Sequence, residues 1–104
     1  MEDEVERVAA FRRLSPLLAS AGQPSPREIE AIARAGFKHL INLALPTSPG
    51  ALADEASLAQ RAGLEYLHLP IDFELPELPQ AARLFSALVE RRNEPVLVHC
   101  AKNM

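Results

Sequence analysis

Cys100 is the residue of this sequence best placed to do chemistry. It is the single cysteine of the chain, it follows the apolar run Val96–Val98 and His99, and a short polar segment comes after it. A loop behind a buried strand can point successive backbone N–H groups at one spot, where they bind an anion and stabilise a thiolate. A thiolate facing such a nest is suited to attack phosphorus. A lone cysteine after a strand is often only a small buried hydrophobic residue, and the polar segment favours the catalytic interpretation.

Alternating strands and helices lead up to Cys100. Ser25 and Glu28 have the spacing of a capping box, with Pro26 at the first helical position and Gly36 as the natural end of the helix. Hydrophobic periodicity and turn residues then predict the remaining elements. These are a strand at Leu40–Leu45, a loop at Pro46–Gly50, a helix at Leu52–Ala62, a strand at Tyr66–Ile71, a loop at Leu75–Pro79, a helix over Ala81–Leu88 and a strand at Pro95–Val98.

This alternation predicts an α/β fold, a three-layer sandwich with a mainly parallel central sheet. The short apolar run before Cys100 is typical of a central strand buried on both faces. Ligands of such sheets bind beyond the carboxyl ends of the strands, and Cys100 lies at one of those ends. Residues 1–24 are poorly defined: Glu4–Leu14 could form a short helix, or Phe11–Leu14 and Leu17–Ala19 could form edge strands.

Length and composition exclude several classes of protein. The 104 residues are enough for one domain, spanning 1–104. A net charge of −3 and no long basic tract argue against nucleic-acid binding, and the absence of a long apolar run argues against a membrane protein. One cysteine allows no internal disulfide, which suits the reducing cytoplasm. His39 and His68 have no metal-ligand spacing, so we expect neither a metal nor another cofactor.

Four segments in order resemble a known family. They are residues 20–24 (SAGQP), 35–43 (AGFKHLINL), 62–73 (AGLEYLHLPIDF) and 96–104 (VLVHCAKNM). The chain is similar to the bacterial beta-lactamase hydrolase-like, phosphatase-like proteins, within the superfamily of protein tyrosine and dual-specificity phosphatases. This resemblance implies hydrolysis of phosphate monoesters through a phosphocysteine intermediate. The expected substrate is a phosphorylated protein or small molecule.

The resemblance also assigns roles to residues. It implies Cys100 as the nucleophile and Asp72, 28 residues earlier, as the general acid; Glu74 is the alternative acid. His99 would hydrogen-bond the backbone and support the thiolate. The substrate-binding loop would comprise Ala101, Lys102, Asn103 and Met104. The same resemblance implies an arginine directly after Met104 and then a helix, so we expect these 104 residues to be a fragment with little activity.

Two other functions fit a cysteine loop after a strand. One is a rhodanese-like sulfurtransferase, which carries sulfur as a persulfide. The other is a non-catalytic phosphate-binding module that keeps the loop. Asp72 favours the phosphatase over the sulfurtransferase, because sulfur transfer needs no general acid.

Overall fold

The computed structural model of the protein describes residues 8, 10–48, 51–72 and 77–101. Within these ranges the chain forms five strands and three helices. In chain order they are β1 (Arg12–Ser15), β2 (Leu18–Ala21), α1 (Pro26–Arg34), β3 (His39–Asn42), α2 (Glu55–Arg61), β4 (Glu65–His68), α3 (Leu78–Glu90) and β5 (Val96–His99).

The five strands form one mixed sheet in the order β1-β2-β5-β3-β4. β1 is antiparallel to β2, and every other neighbouring pair is parallel. β5 is therefore the central strand, as the sequence predicts, with a parallel partner on each side. His99, its last residue, is level with Ala21 of β2 and Asn42 of β3. This register brings three strand ends to the same edge of the sheet.

Helices cover both faces of the sheet and give the predicted three layers. On one face the buried side chains of α1 and α2 belong to a single core with Leu40 and Leu97; the helix residues are Ile29, Ile32 and Ala59. On the other face α3 packs its apolar side through Ala87, Leu84 and Leu88 against a second core that contains Ile41 and Val96. Neighbouring strand residues point to opposite faces, which is why Leu40 and Ile41 belong to different cores.

The start of α1 follows the predicted capping box. The Glu28 N–H donates to Ser25 Oγ at 3.2 Å, and the Ser25 N–H donates to Glu28 Oε1 at 2.9 Å. Both are exposed polar contacts that satisfy backbone groups left open by the helix start. Pro26 occupies the first turn, where its missing N–H costs nothing.

The N-terminal segment contains a hairpin where the sequence left two alternatives open. Arg12–Ser15 and Leu18–Ala21 pair as antiparallel strands around a turn at Pro16 and Leu17. Of these two strands only β1 lies at an edge of the sheet, since β2 also pairs with β5. The expectation of an edge position was therefore wrong for β2, because its partner β5 lies at the far end of the sequence.

Several element boundaries differ from the predicted ones. The loop predicted through Pro79 ends earlier: α3 begins at Leu78, and Pro79 lies in its first turn, where proline is well tolerated. α2 starts at Glu55 instead of Leu52. The strands predicted to reach Leu45 and Ile71 end at Asn42 and His68, although the Ile71 N–H still donates to the Leu43 carbonyl at 3.0 Å.

Candidate active site

Cys100 directly follows the central strand at the carboxyl edge of the sheet. Its N–H donates to the Ala21 carbonyl at 3.2 Å, and the carbonyl of the preceding His99 accepts from the Leu43 N–H at 2.8 Å. The backbone that carries the thiol is thus held from β2 on one side and from the end of β3 on the other. The side chain is partly buried and packs beside the core on the α3 face.

The predicted substrate-binding loop is described only at its first residue. Ala101 is partly buried, and its carbonyl accepts from the Gln23 N–H at 3.4 Å. This contact ties the start of the loop to the chain segment between β2 and α1. Lys102, Asn103 and Met104 lie outside the described residues, as does Glu74, the alternative acid.

Asp72 lies at the same edge of the sheet as Cys100. The N–H of the preceding Ile71 donates to the Leu43 carbonyl, and the Leu43 N–H donates to the His99 carbonyl. Asp72 directly follows Ile71 and Cys100 directly follows His99, so only the segment that contains Leu43 lies between the two backbones. Asp72 and Cys100 therefore both follow backbone that is bonded to Leu43 at this edge of the sheet.

His99 is buried and points to the face opposite Cys100, towards α2. Its ring Nε2 lies 2.5 Å from Glu55 Oε2, and its Nδ1 lies 3.4 Å from the Cys100 carbonyl oxygen. The predicted backbone hydrogen bond is therefore present but long. The shorter contact is with a buried carboxylate that the sequence reasoning did not select.

Glu55 is the centre of a buried polar network. Its Oε1 accepts from Gln23 Nε2 at 2.9 Å, and its carboxylate also bonds the hydroxyl of Tyr66. That hydroxyl accepts from Asn42 Nδ2 at 2.9 Å. Gln23 and Asn42 therefore both belong to this network. Every oxygen of the Glu55 carboxylate thus has a donor, as a buried charge requires.

One sequence signal could have identified Glu55. It stands four residues before Ala59 and seven before Ala62, which puts it on the apolar face of α2. A charged residue on the buried face of a helix must have a partner. The sequence does not say which partner, because His99 is 44 residues away.

The network shifts the pKa values of its members. Burial raises the pKa of Glu55. The hydrogen bond and charge of His99 oppose burial, and the hydrogen bonds from Gln23 and Tyr66 add to this effect. Together they hold the pKa of Glu55 below its usual value. Burial raises the pKa of Tyr66 to about 12; the Asn42 hydrogen bond opposes this rise, and the Glu55 carboxylate adds to it. Glu55 is therefore charged and Tyr66 neutral near pH 7.

A cavity of about 310 Å³ opens next to the network on the α2 side of the sheet. Asn42, Tyr66 and His68 line its polar part, and His68 Nε2 lies 2.7 Å from the Ala44 carbonyl. Neither Cys100 nor Asp72 lines this cavity. Across the described ranges no group of three histidine, cysteine or acidic side chains is arranged to hold a metal ion. No helix in the described part of the chain has the length and apolar character to span a bilayer.

Comparison with known proteins shows the family of this chain. The family model for the "Beta-lactamase hydrolase-like protein, phosphatase-like domain" matches residues 10–103. The chain belongs to this family. A beta-lactamase hydrolase-like protein of Xylella fastidiosa (strain Temecula1 / ATCC 700964) is 38% identical over 88 residues, which are 80% of this chain and 20% of the relative. The chain therefore spans about a fifth of the length of that curated relative.

Solved structures share the fold. The DUF442 phosphatase-type protein of Shewanella putrefaciens CN-32 superimposes with a TM-score of 0.94 at 29% identity, covering 99% of this chain and 68% of that one. Tk-PTP in its active form superimposes with a TM-score of 0.76 at 26% identity, covering 91% and 64% of the two chains. These likenesses confirm the predicted family and the predicted α/β, phosphatase-like fold.

Proposed function

We propose that this domain hydrolyses phosphate monoesters with Cys100 as the nucleophile. The observation that carries the proposal is the location of Cys100 directly behind the central strand, with Ala21 and Leu43 fixing the backbone on either side. Ligands bind at this edge of parallel α/β sheets, and the family is named for a phosphatase-like domain. A reactive thiol must stay reduced, so we also propose the cytoplasm as the place of the reaction.

The reaction has two steps. The Cys100 thiolate attacks phosphorus, an S–P bond forms and the ester P–O bond breaks, while Asp72 in its protonated form gives its proton to the leaving oxygen. A water molecule then attacks the phosphocysteine, and the Asp72 carboxylate takes the water proton. The S–P bond breaks, inorganic phosphate leaves, and the thiolate is restored with Asp72 protonated again.

The loop after Cys100 binds the phosphate in this proposal. A loop of this kind binds phosphate oxygens through backbone N–H groups, and the charge of Lys102 would add attraction. The family resemblance puts an arginine immediately after this loop, whose guanidinium fork would grip two phosphate oxygens. For this reason activity is measured on two lengths: these 104 residues, and the chain continued by whatever its gene encodes next.

Kinetics with two leaving groups test the roles of Cys100 and Asp72. We expect Cys100→Ser to abolish turnover of both p-nitrophenyl phosphate and an alkyl phosphate. In a single turnover, we expect Asp72→Asn to slow release of the alcohol from the alkyl ester by about 10²–10⁴-fold and release of p-nitrophenol much less, because p-nitrophenolate leaves without a proton. Glu74→Gln is the matched control and leaves both rates unchanged.

Other outcomes point to the alternatives. Equal slowing of the single-turnover release from both esters by Asp72→Asn contradicts its role as general acid, and loss of activity in Glu74→Gln moves that role to Glu74. Transfer of sulfur from thiosulfate to cyanide by Cys100, without ester hydrolysis in the longer chain, identifies a sulfurtransferase. Binding of phosphate without turnover of any ester identifies a non-catalytic module.

A further inference from the structure

The cavity beside the buried polar network takes no part in the proposed reaction. Its volume is about 310 Å³, and it is lined by the ends of β3 and β4, the segment between β3 and α2, and the first turn of α2. We propose that this cavity binds a small neutral aromatic molecule of one or two rings that carries an N–H or O–H donor. This inference does not depend on the proposed function.

The size and the apolar lining of the cavity fit such a molecule. Ligand pockets begin at about 300 Å³ and are mostly apolar, with a few polar groups that fix the orientation of the ligand. Leu45, Pro46 and Leu52 supply apolar lining. Two other lining residues, Ala53 and Ala56, are exposed. The cavity is therefore open to solvent, and a ligand of one or two rings can enter it.

Two aromatic side chains line the same cavity. The rings of Tyr66 and His68 have their centroids 6.4 Å apart and their planes tilted by 40°. Neither residue is fully buried. Aromatic rings attract one another in offset or edge-to-face arrangements with centroids about 4.5–7 Å apart. A planar aromatic ligand gains this attraction from both side chains, whereas an aliphatic ligand does not.

The hydrogen bonds of the lining leave one ring nitrogen as an acceptor. Asn42 accepts from the Ala44 N–H at 2.8 Å and donates to the Tyr66 hydroxyl at 2.9 Å, and that hydroxyl bonds the Glu55 carboxylate. His68 Nε2 lies 2.7 Å from the Ala44 carbonyl oxygen, which can only accept, so Nε2 carries the proton. Nδ1 of the neutral ring is then an acceptor, and no residue in the described part of the chain bonds it. A ligand with one N–H or O–H group supplies the matching donor.

The charges around the cavity favour a neutral ligand. The lining residues in the described part of the chain include no lysine and no arginine. The nearest carboxylate of the network, that of Glu55, bonds the Tyr66 hydroxyl. An anion in the cavity would lose its water and find no positive partner, which is unfavourable. The ligand of this cavity is therefore chemically different from the phosphate ester of the proposed reaction.

Indole is the probe, because it has two fused rings and one N–H donor. Backbone amide and histidine-ring ¹⁵N spectra of the wild-type chain are recorded during the titration, at a pH of about 8, above the usual range of histidine protonation. We expect saturable shifts at Ala44, at Leu52 and at the His68 ring, with a Kd of about 1 mM or lower. 1-Methylindole lacks the donor and should bind about 3–10-fold more weakly. The anion indole-3-acetate should not shift these signals.

A substitution at the mouth of the cavity provides the second arm of the test. Ala56→Leu places a larger side chain in the lining and should weaken indole binding by about tenfold or more, because the ligand and the added carbons compete for the same space. Ala82→Leu makes the same change at an exposed position of α3. It should leave the affinity for indole unchanged.

Three results overturn the inference. The first is the lack of saturable shifts at the cavity residues, including the case in which indole shifts only the groove between α1 and α2. The second is equal affinity for indole and 1-methylindole, a comparison on the wild-type chain that stands even if Ala56→Leu does not fold. The third is unchanged indole affinity in folded Ala56→Leu. None of these measurements needs phosphatase activity, so a chain that binds indole as expected but hydrolyses no ester refutes the proposed function alone.

Discussion

Leu97→Ala tests whether β5 is the central strand that presents Cys100. Leu97 is 0% exposed and belongs to the core formed with Ile29, Ile32 and Leu40. A Leu→Ala change at such a site costs about 2–5 kcal/mol, because transfer free energy is lost and a cavity remains. Domains of this size are stable by about 5–15 kcal/mol, so the change removes a large share of the total.

The control is the same change at an exposed leucine. Leu78, in the first turn of α3, is 85% exposed, and Leu78→Ala is expected to alter stability by no more than about 0.5 kcal/mol.

Urea denaturation of the three chains measures the difference. With a slope of about 1–3 kcal/mol per M, a loss of about 3 kcal/mol lowers the Leu97→Ala midpoint by roughly 1–3 M, and Leu78→Ala leaves it nearly unchanged. Equal midpoints for the two variants would refute the central location of β5. A Leu78→Ala chain that is less stable than the Leu97→Ala chain would also refute the central location of β5.

Three further predictions concern the capping box and the buried network. Ser25→Ala removes one of the two reciprocal bonds at the start of α1 and should cost about 1 kcal/mol in urea denaturation, whereas Ser57→Ala, inside α2, should cost less. Tyr66 is the single tyrosine, so an ultraviolet titration should show its phenolate forming near pH 12 in the folded chain and near about 10 in the unfolded chain. Because the pKa of Tyr66 is higher in the folded chain, its contribution to stability is complete below about pH 10 and is lost as the pH rises towards 12. The pKa of Glu55 is lowered in the folded chain, so the Glu55 carboxylate stabilises the fold above its unfolded pKa and this stabilisation is lost as the pH falls through the folded pKa. Acid unfolding followed by circular dichroism should therefore depend less steeply on pH in Glu55→Gln than in the wild-type chain. Equal pH dependence of the two chains would contradict a buried charge on Glu55.

The features predicted correctly from the sequence are those set by local chemistry. Ser25 and Glu28 are three residues apart, and nothing distant is needed for their reciprocal hydrogen bonds. The apolar run before Cys100 and the regular alternation of elements were enough to predict a central parallel strand, because few topologies bury such a strand.

The features that the sequence did not reveal depend on distant contacts. β2 becomes an inner strand only because β5 pairs with it, with Leu18 level with Val96. Glu55 contacts its buried partner His99 only when α2 is packed on the sheet, because the two residues are 44 positions apart in the sequence. Pro79 reads equally well as a loop residue or as part of a first helical turn, and the packing of α3 decides between them.

The phosphocysteine intermediate is the most direct test of the central claim, that Cys100 is the nucleophile in phosphate-ester hydrolysis. The longer chain carrying Asp72→Asn is mixed with p-nitrophenyl phosphate and quenched in acid, since loss of the base slows hydrolysis of the intermediate. Mass spectrometry of the peptide containing Cys100 should show one added phosphoryl group on sulfur, and none in Cys100→Ser. An unmodified Cys100 in a chain that still releases p-nitrophenol, or a phosphoryl group on another residue, would contradict the account.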